Sequence, residues 1–148
     1  MDKLLMEDVV RERGGDELHT VPASASVSEA VELMAEREIC AVLVMNEDAL
    51  VAGIFTERDL LMRVVRPGLD IRTTPISMVM TRDVRFVTPG TTVEAAMALM
   101  HLNRHRHLLV IDGPRVHGLV SMRDLVYQVV RRGRQRFADT LDDSPPAA

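Results

Sequence analysis

With 148 residues, the chain is long enough for one compact domain or two small fused halves. Hydrophobic residues at 47% and charged residues at 27% are an ordinary globular balance, and no apolar run approaches the roughly 18 residues that cross a bilayer. A net charge of −4 argues against nucleic acid as the main partner, and aromatics at 3% remove the stacking platforms of single-strand binders. The single cysteine, Cys40, excludes an internal disulfide and leaves a Cys-based zinc site unsupported. Residues Met1–Leu5 lack the basic start and apolar stretch of a signal peptide, so a reducing cytoplasm is the expected compartment.

In chain order, a helix is predicted over Leu4–Arg13, then a short strand over His19–Val21. The next helix has Ser26 as its N-cap, a Glu in its first turn and a buried stripe of Val27, Ala30, Val31 and Met34. Strands over Ala41–Met45 and Leu50–Phe55 follow, and a second helix runs from Thr56 to about Val65. After a linker the pattern recurs. A strand over Arg85–Val87 leads to a helix capped by Thr92, whose stripe is Val93, Ala96, Met97 and Met100. Strands over Leu108–Ile111 and Val116–Val120 then lead to a helix from Ser121 to about Val130.

The recurrence is visible residue by residue. Gly53–Leu60 matches Gly118–Leu125 at a spacing of 65, and Val27–Met34 matches Val93–Met100 at 66. The one-residue slip falls in predicted hairpin turns, Asn46–Val51 and Asp112–Arg115, where a change of length is tolerated. This is a duplicated β-α-β-β-α unit, of the α/β (α+β) class. The organisation read from it is an N-terminal helix and first repeat (1–67), a linker (68–80), a second repeat (81–133) and a tail expected to lack structure (134–148).

Both copies read Gly, two apolar residues, a hydroxyl, any residue, Arg, Asp. Thr56 and Ser121 fall at a strand-to-helix N-cap, where a hydroxyl and backbone N–H groups suit a phosphate. Asp59 and Asp124, three residues on, suit a ribose diol, with Arg58 and Arg123 beside them and a glycine allowing close backbone approach. The competing structural reading is a capping box in each copy. Recurrence at equivalent points favours the binding site over the cap.

His101 and His105, four apart, admit a metal site, a helix C-terminus complemented by cations, or a basic lip over a phosphate pocket. The last is the most useful reading, and no metal is expected. Arg131–Arg136 reads as a solvated helix end ahead of a nucleic-acid patch. No nucleophile elbow, Walker loop or carboxylate pair supports catalysis, so the chain is not expected to be an enzyme. Cys40 reads as core or pocket wall.

These residues resemble the CBS domain family, tandem modules named after cystathionine beta-synthase. Gly53–Asp59 and Gly118–Asp124 fit its Gly-hydrophobic-x-Thr/Ser-x-x-Asp stretch. Met80–Val84, Val87–Val93 and Arg106–Val110 are also typical, although Leu109 replaces a usual proline. The resemblance covers about residues 4–131 and looks like a stand-alone CBS pair, with no attached catalytic, transporter or channel domain. It implies two repeats packed sheet to sheet as a pseudo-twofold pair, commonly dimerising into a disc.

The resemblance further implies two clefts for adenosine-containing ligands: AMP, ADP, ATP or NAD ahead of S-adenosylmethionine. Carried over, one cleft joins Ser121, Arg123 and Asp124 to Thr20, Ala25, Ile39 and Cys40. Asp124 would hold the ribose, Ser121 and Arg123 the phosphate side, and Ile39 with Cys40 the adenine. The other joins Thr56, Arg58 and Asp59 to Phe86, Thr91, His105 and Arg106. Phe86 stands where the family often has a hydroxyl, as Thr20 does, so it either walls or blocks its cleft. Arg106 and His107 make the Thr56/Asp59 cleft the more cationic, which favours longer phosphate chains. The expected function is therefore a regulatory sensor with unequal sites, acting on a partner protein and built as a homodimer. A ligand-free adaptor is the alternative, and a nucleic-acid binder the weakest reading.

Overall fold

The computed structural model describes residues 3–13 and 18–142. In chain order its elements begin with α1 (Met6–Glu12), β1 (Thr20–Pro22), α2 (Val27–Arg37), β2 (Ala41–Met45), β3 (Val51–Thr56) and α3 (Glu57–Asp59). A π-helical stretch (Leu60–Val65) and a 3-10 turn (Ile76–Met78) follow. Then come β4 (Phe86–Val87), α4 (Val93–Asn103), β5 (His107–Asp112), β6 (Arg115–Ser121) and α5 (Met122–Asp142). They form two compact units. One spans Glu17–Val84, and the other joins the N-terminal residues up to Asp16 to the chain from Arg85 onward.

Each unit is built on a three-stranded sheet, ordered β1-β2-β3 in one and β4-β5-β6 in the other. The first pair is parallel (Thr20 opposite Leu43, Phe86 opposite Leu109) and the second is an antiparallel hairpin. A bulge interrupts each hairpin at the same place. Val44 pairs with Gly53 but Met45 with Val51, leaving Ala52 over; Val110 pairs with Gly118 but Ile111 with Val116, leaving His117 over. The turns differ, as the slip in the repeat requires. Asn46 accepts from the N–H groups of Asp48 and Leu50, whereas Gly113 takes φ +56 ahead of Pro114, as a II′ turn demands.

The first long helix of each copy starts on its predicted cap. Ser26 accepts from Glu29 N–H at 3.2 Å while Glu29 reaches back to Ser26 N–H at 2.8 Å; Thr92 accepts from Ala95 N–H at 3.2 Å. Val27, Ala30 and Met34, like Val93, Ala96 and Met100, are buried against the sheets, with Val31 and Met97 half-buried beside them.

Each core is closed by a segment outside the repeat. In the Glu17–Val84 unit, Val27 N–H donates to Thr74 O and Ile76 N–H to Ala25 O, which seats Ile76, Val79 and Met80 in the core. In the other, Val93 N–H donates to Leu4 O and Met6 N–H to Thr91 O, which seats Met6, Val9 and Val10. The chain leading into one copy thus completes the other.

Two helices depart from expectation. Only Glu57–Asp59 is α-helical after Thr56. From Leu60 the bonding widens to five residues, as in Arg66 N–H to Leu61 O, until Pro67 and Gly68 (φ +81) end it. In the second copy the helix runs on to Asp142, through a stretch expected to lack structure; residues 143–148 lie outside the described residues. Among the described residues no helix is long and apolar enough to cross a membrane.

Candidate functional site

In the Glu17–Val84 unit, β3 ends at Thr56 with extended backbone and turns directly into α3. The hydroxyl is not free for a ligand. Thr56 Oγ1 accepts from Asp59 N–H at 3.3 Å, and Asp59 Oδ2 accepts from Thr56 N–H at 3.0 Å and Thr56 Oγ1 at 3.2 Å. Asp59 Oδ1 accepts from Thr81 Oγ1 at 2.9 Å and faces Arg63 Nε at 3.7 Å. The residue is 6% exposed, so both oxygens serve the fold. Gly53 allows a close approach, but of the protein's own chain. Ile54 and Thr81 exchange two backbone hydrogen bonds there, of 2.9 and 2.8 Å.

The second copy repeats the box with a looser surround. Asp124 Oδ2 accepts from Ser121 N–H at 2.8 Å, and Ser121 Oγ accepts from Asp124 N–H at 3.2 Å. Its further partner is Arg13, at the end of α1, whose Nη1 lies 3.3 Å from Oδ2 and also donates to Leu119 O. The Asp124 side chain is 29% exposed, and Oδ1 accepts no hydrogen bond among the described residues. Arg13 was not among the residues expected at the site. Arg58 and Arg123 are both exposed, without an ion pair among the described residues, and are available to an anion.

The wall residues are held by the ends of α2 and α4. Glu38 (φ 53) and Arg104 (φ 56) take left-handed backbone, and Ile39 N–H donates to Met34 O as His105 N–H does to Met100 O, both at 3.0 Å. This reverses the chain so that the next residue meets the motif of its own copy. Glu57 N–H donates to Cys40 O at 3.0 Å, and Met122 N–H to Arg106 O at 2.8 Å. Cys40 and Ile39 are half-buried, as is His105, while Arg106 is exposed. Thr20 and Phe86 open β1 and β4 on exposed edges, Phe86 at 64%. Ala25 is buried, and its carbonyl, like that of Thr91, is used by the closing segment.

Among the described residues no group of three or more His, Cys, Asp or Glu gathers to hold a metal. Arg131–Arg136 does not end a helix. It lies within α5, where Arg131 pairs with Glu12 at 3.3 Å.

Comparison with known proteins places this geometry. The CBS domain profile matches residues 7–66 and 76–131. A CBS domain-containing protein of Arabidopsis thaliana, CBSCBSPB1, is 33% identical over 113 residues, 76% of this chain and 21% of that protein. The chain thus spans about a fifth of that relative's length. The structure of a CBS-domain protein from Burkholderia ambifaria is 36% identical with a TM-score of 0.82, covering 86% of this chain and 94% of that one. A hexameric CBS-CP12 protein from bloom-forming cyanobacteria is 26% identical with a TM-score of 0.74, covering 85% and 72%. With both repeats matched by the profile and the paired-repeat fold shared, the chain belongs to the CBS domain family, as a tandem pair.

Proposed function

We propose that the chain is a regulatory module that binds an adenosine-containing ligand, AMP, ADP, ATP or NAD, and passes its occupancy to a partner protein. The observation that carries this reading is the Asp124 motif. A half-exposed carboxylate with an unused oxygen stands beside an exposed guanidinium, Arg123, at the start of a helix of 21 residues. A diol on the carboxylate and a phosphate near Arg123 and the helix start match that arrangement. The Asp59 motif is the weaker candidate, because its carboxylate is buried and fully engaged.

A second reading, a ligand-free adaptor, is supported by that same engagement of Asp59 within the fold. Both readings involve self-association. Leu61, Met62 and Val65 are exposed in one copy, and Val126, Tyr127 and Val130 at the equivalent points of the other. Apolar faces of this kind mark protein contacts, and we propose a homodimer through them. The single half-buried cysteine fits a reducing cytoplasm.

Native mass spectrometry of protein purified from cells tests the sensor reading. A copurified adenine nucleotide on a dimer is expected. A ligand-free species that also binds no adenosine compound in a screen supports the adaptor instead.

A further inference from the structure

We propose that Arg13 gates the Asp124 motif: a diol-bearing ligand displaces its guanidinium from the carboxylate, and the end of α1 is loosened as a result. The proposal rests on the reading of Asp124 as the ribose-binding group. Asp124 Oδ2 already accepts from Ser121 N–H and from Arg13, which fills its two lone pairs. A diol held by both carboxylate oxygens therefore needs one of these donors to leave. Ser121 N–H is fixed by the strand-to-helix turn. Arg13 is a side chain, and its pair with Asp124 is 30% and 29% exposed, the kind of contact water and ligand can replace.

The same guanidinium covers the rest of the motif. Its Nη1 bonds to Leu119 O, and its Nη2 lies 3.1 Å from where a Cβ on Gly118 would stand. A ligand approaching the Gly118 backbone meets Arg13 first. At the equivalent place in the other copy the Met80 side chain stands beside main chain, Thr81 paired with Ile54, so turning the thioether aside still leaves the backbone in place. The gate belongs to one copy.

Displacement has a structural consequence. Arg13 follows α1 directly, and its N–H donates to Val9 O at 3.1 Å. With the guanidinium displaced from both Asp124 and Leu119 O, the last turn of α1 is held by that bond and the exposed Asp8–Arg11 and Glu12–Arg131 pairs, while Met6, Val9 and Val10 stay in the core. Ligand occupancy thus reaches an exposed element through a difference in contacts between two states, as any ligand-driven shift must.

The test uses the full chain as wild type, Arg13→Ala and Arg13→Gln, with AMP as the probe. Calorimetry reads affinity, and hydrogen exchange over residues 6–13 reads α1. An exposed ion pair of this kind predicts binding about 1.5- to 5-fold tighter in both variants. AMP is expected to speed exchange in the last turn of wild-type α1, and the variants to exchange fast without it. Weaker binding by the variants would make Arg13 a ligand contact and overturn the gate. Equal affinity with α1 unchanged by AMP would overturn it as well, while leaving the Asp124 reading intact. Absence of binding by all three proteins would overturn that reading, and the gate with it.

Discussion

Alanine at Gly53 puts a methyl where Met80 Sδ and Thr81 O already stand, each 2.7 Å from the ideal Cβ position. The thioether can turn away. The carbonyl cannot, because Thr81 and Ile54 hold each other by two backbone bonds, and Thr81 Oγ1 is tied to Asp59. Relief requires β3 and the Met80–Thr81 segment to part. Overpacking of this kind costs about 1–3 kcal/mol, and a lost hydrogen bond adds roughly 0.5–1.5 kcal/mol, so a loss of about 3 kcal/mol is expected. For a chain of this size that lowers Tm by about 6–12 °C. Gly118→Ala is the control. Its nearest neighbour is Arg13 Nη2 at 3.1 Å, the far end of a flexible side chain, so the loss should stay below about 1 kcal/mol. Thermal melting followed by circular dichroism compares the two. Equal falls in Tm would refute the claim that main chain seals one motif and a side chain covers the other.

Three further outcomes follow from the same contacts. Asp59→Ala removes a cap and the Thr81 bond from a buried site and should cost about 3 kcal/mol in urea unfolding, against about 1–2 kcal/mol for the half-exposed Asp124→Ala. Glu38→Gly relieves left-handed backbone at the end of α2 and should raise Tm, by up to about 1 kcal/mol of stability; a fall would show that the Glu38 side chain matters more than its φ of 53. Phe86→Ser, at a position 64% exposed, should leave stability within about 0.5 kcal/mol, so that a changed nucleotide affinity in calorimetry identifies Phe86 as a cleft wall.

Much of each copy was legible because its signals are local. Ser26 and Thr92 are caps, the two helix stripes have a clear period, and the slip in the repeat falls where the turns differ. The closing segments were harder to see, since their partners are distant in sequence. A trace exists: Met6, Val9 and Val10 carry the same apolar spacing as Ile76, Val79 and Met80, but at an offset of 70 rather than 65 or 66. At the motif, two readings of the same residues competed, a cap and a binding site. The capping box, set aside because the motif recurs, is present in both copies. Arg13 was out of reach, because only folding brings it across more than a hundred residues to Asp124. The length of α5 was hidden by composition. Asp142, Asp143 and the prolines after them suggested a tail, yet Gln135 and Asp139 pair at helical spacing at 2.9 Å.

Calorimetric titration of AMP and ATP into wild type, Asp124→Ala and Asp59→Ala, well below the lowered Tm of the last, bears most directly on the central claim. Binding at unequal sites is predicted, with the stronger one abolished by Asp124→Ala and retained in Asp59→Ala. Identical losses from the two substitutions, or no binding of either nucleotide to wild type, would contradict it.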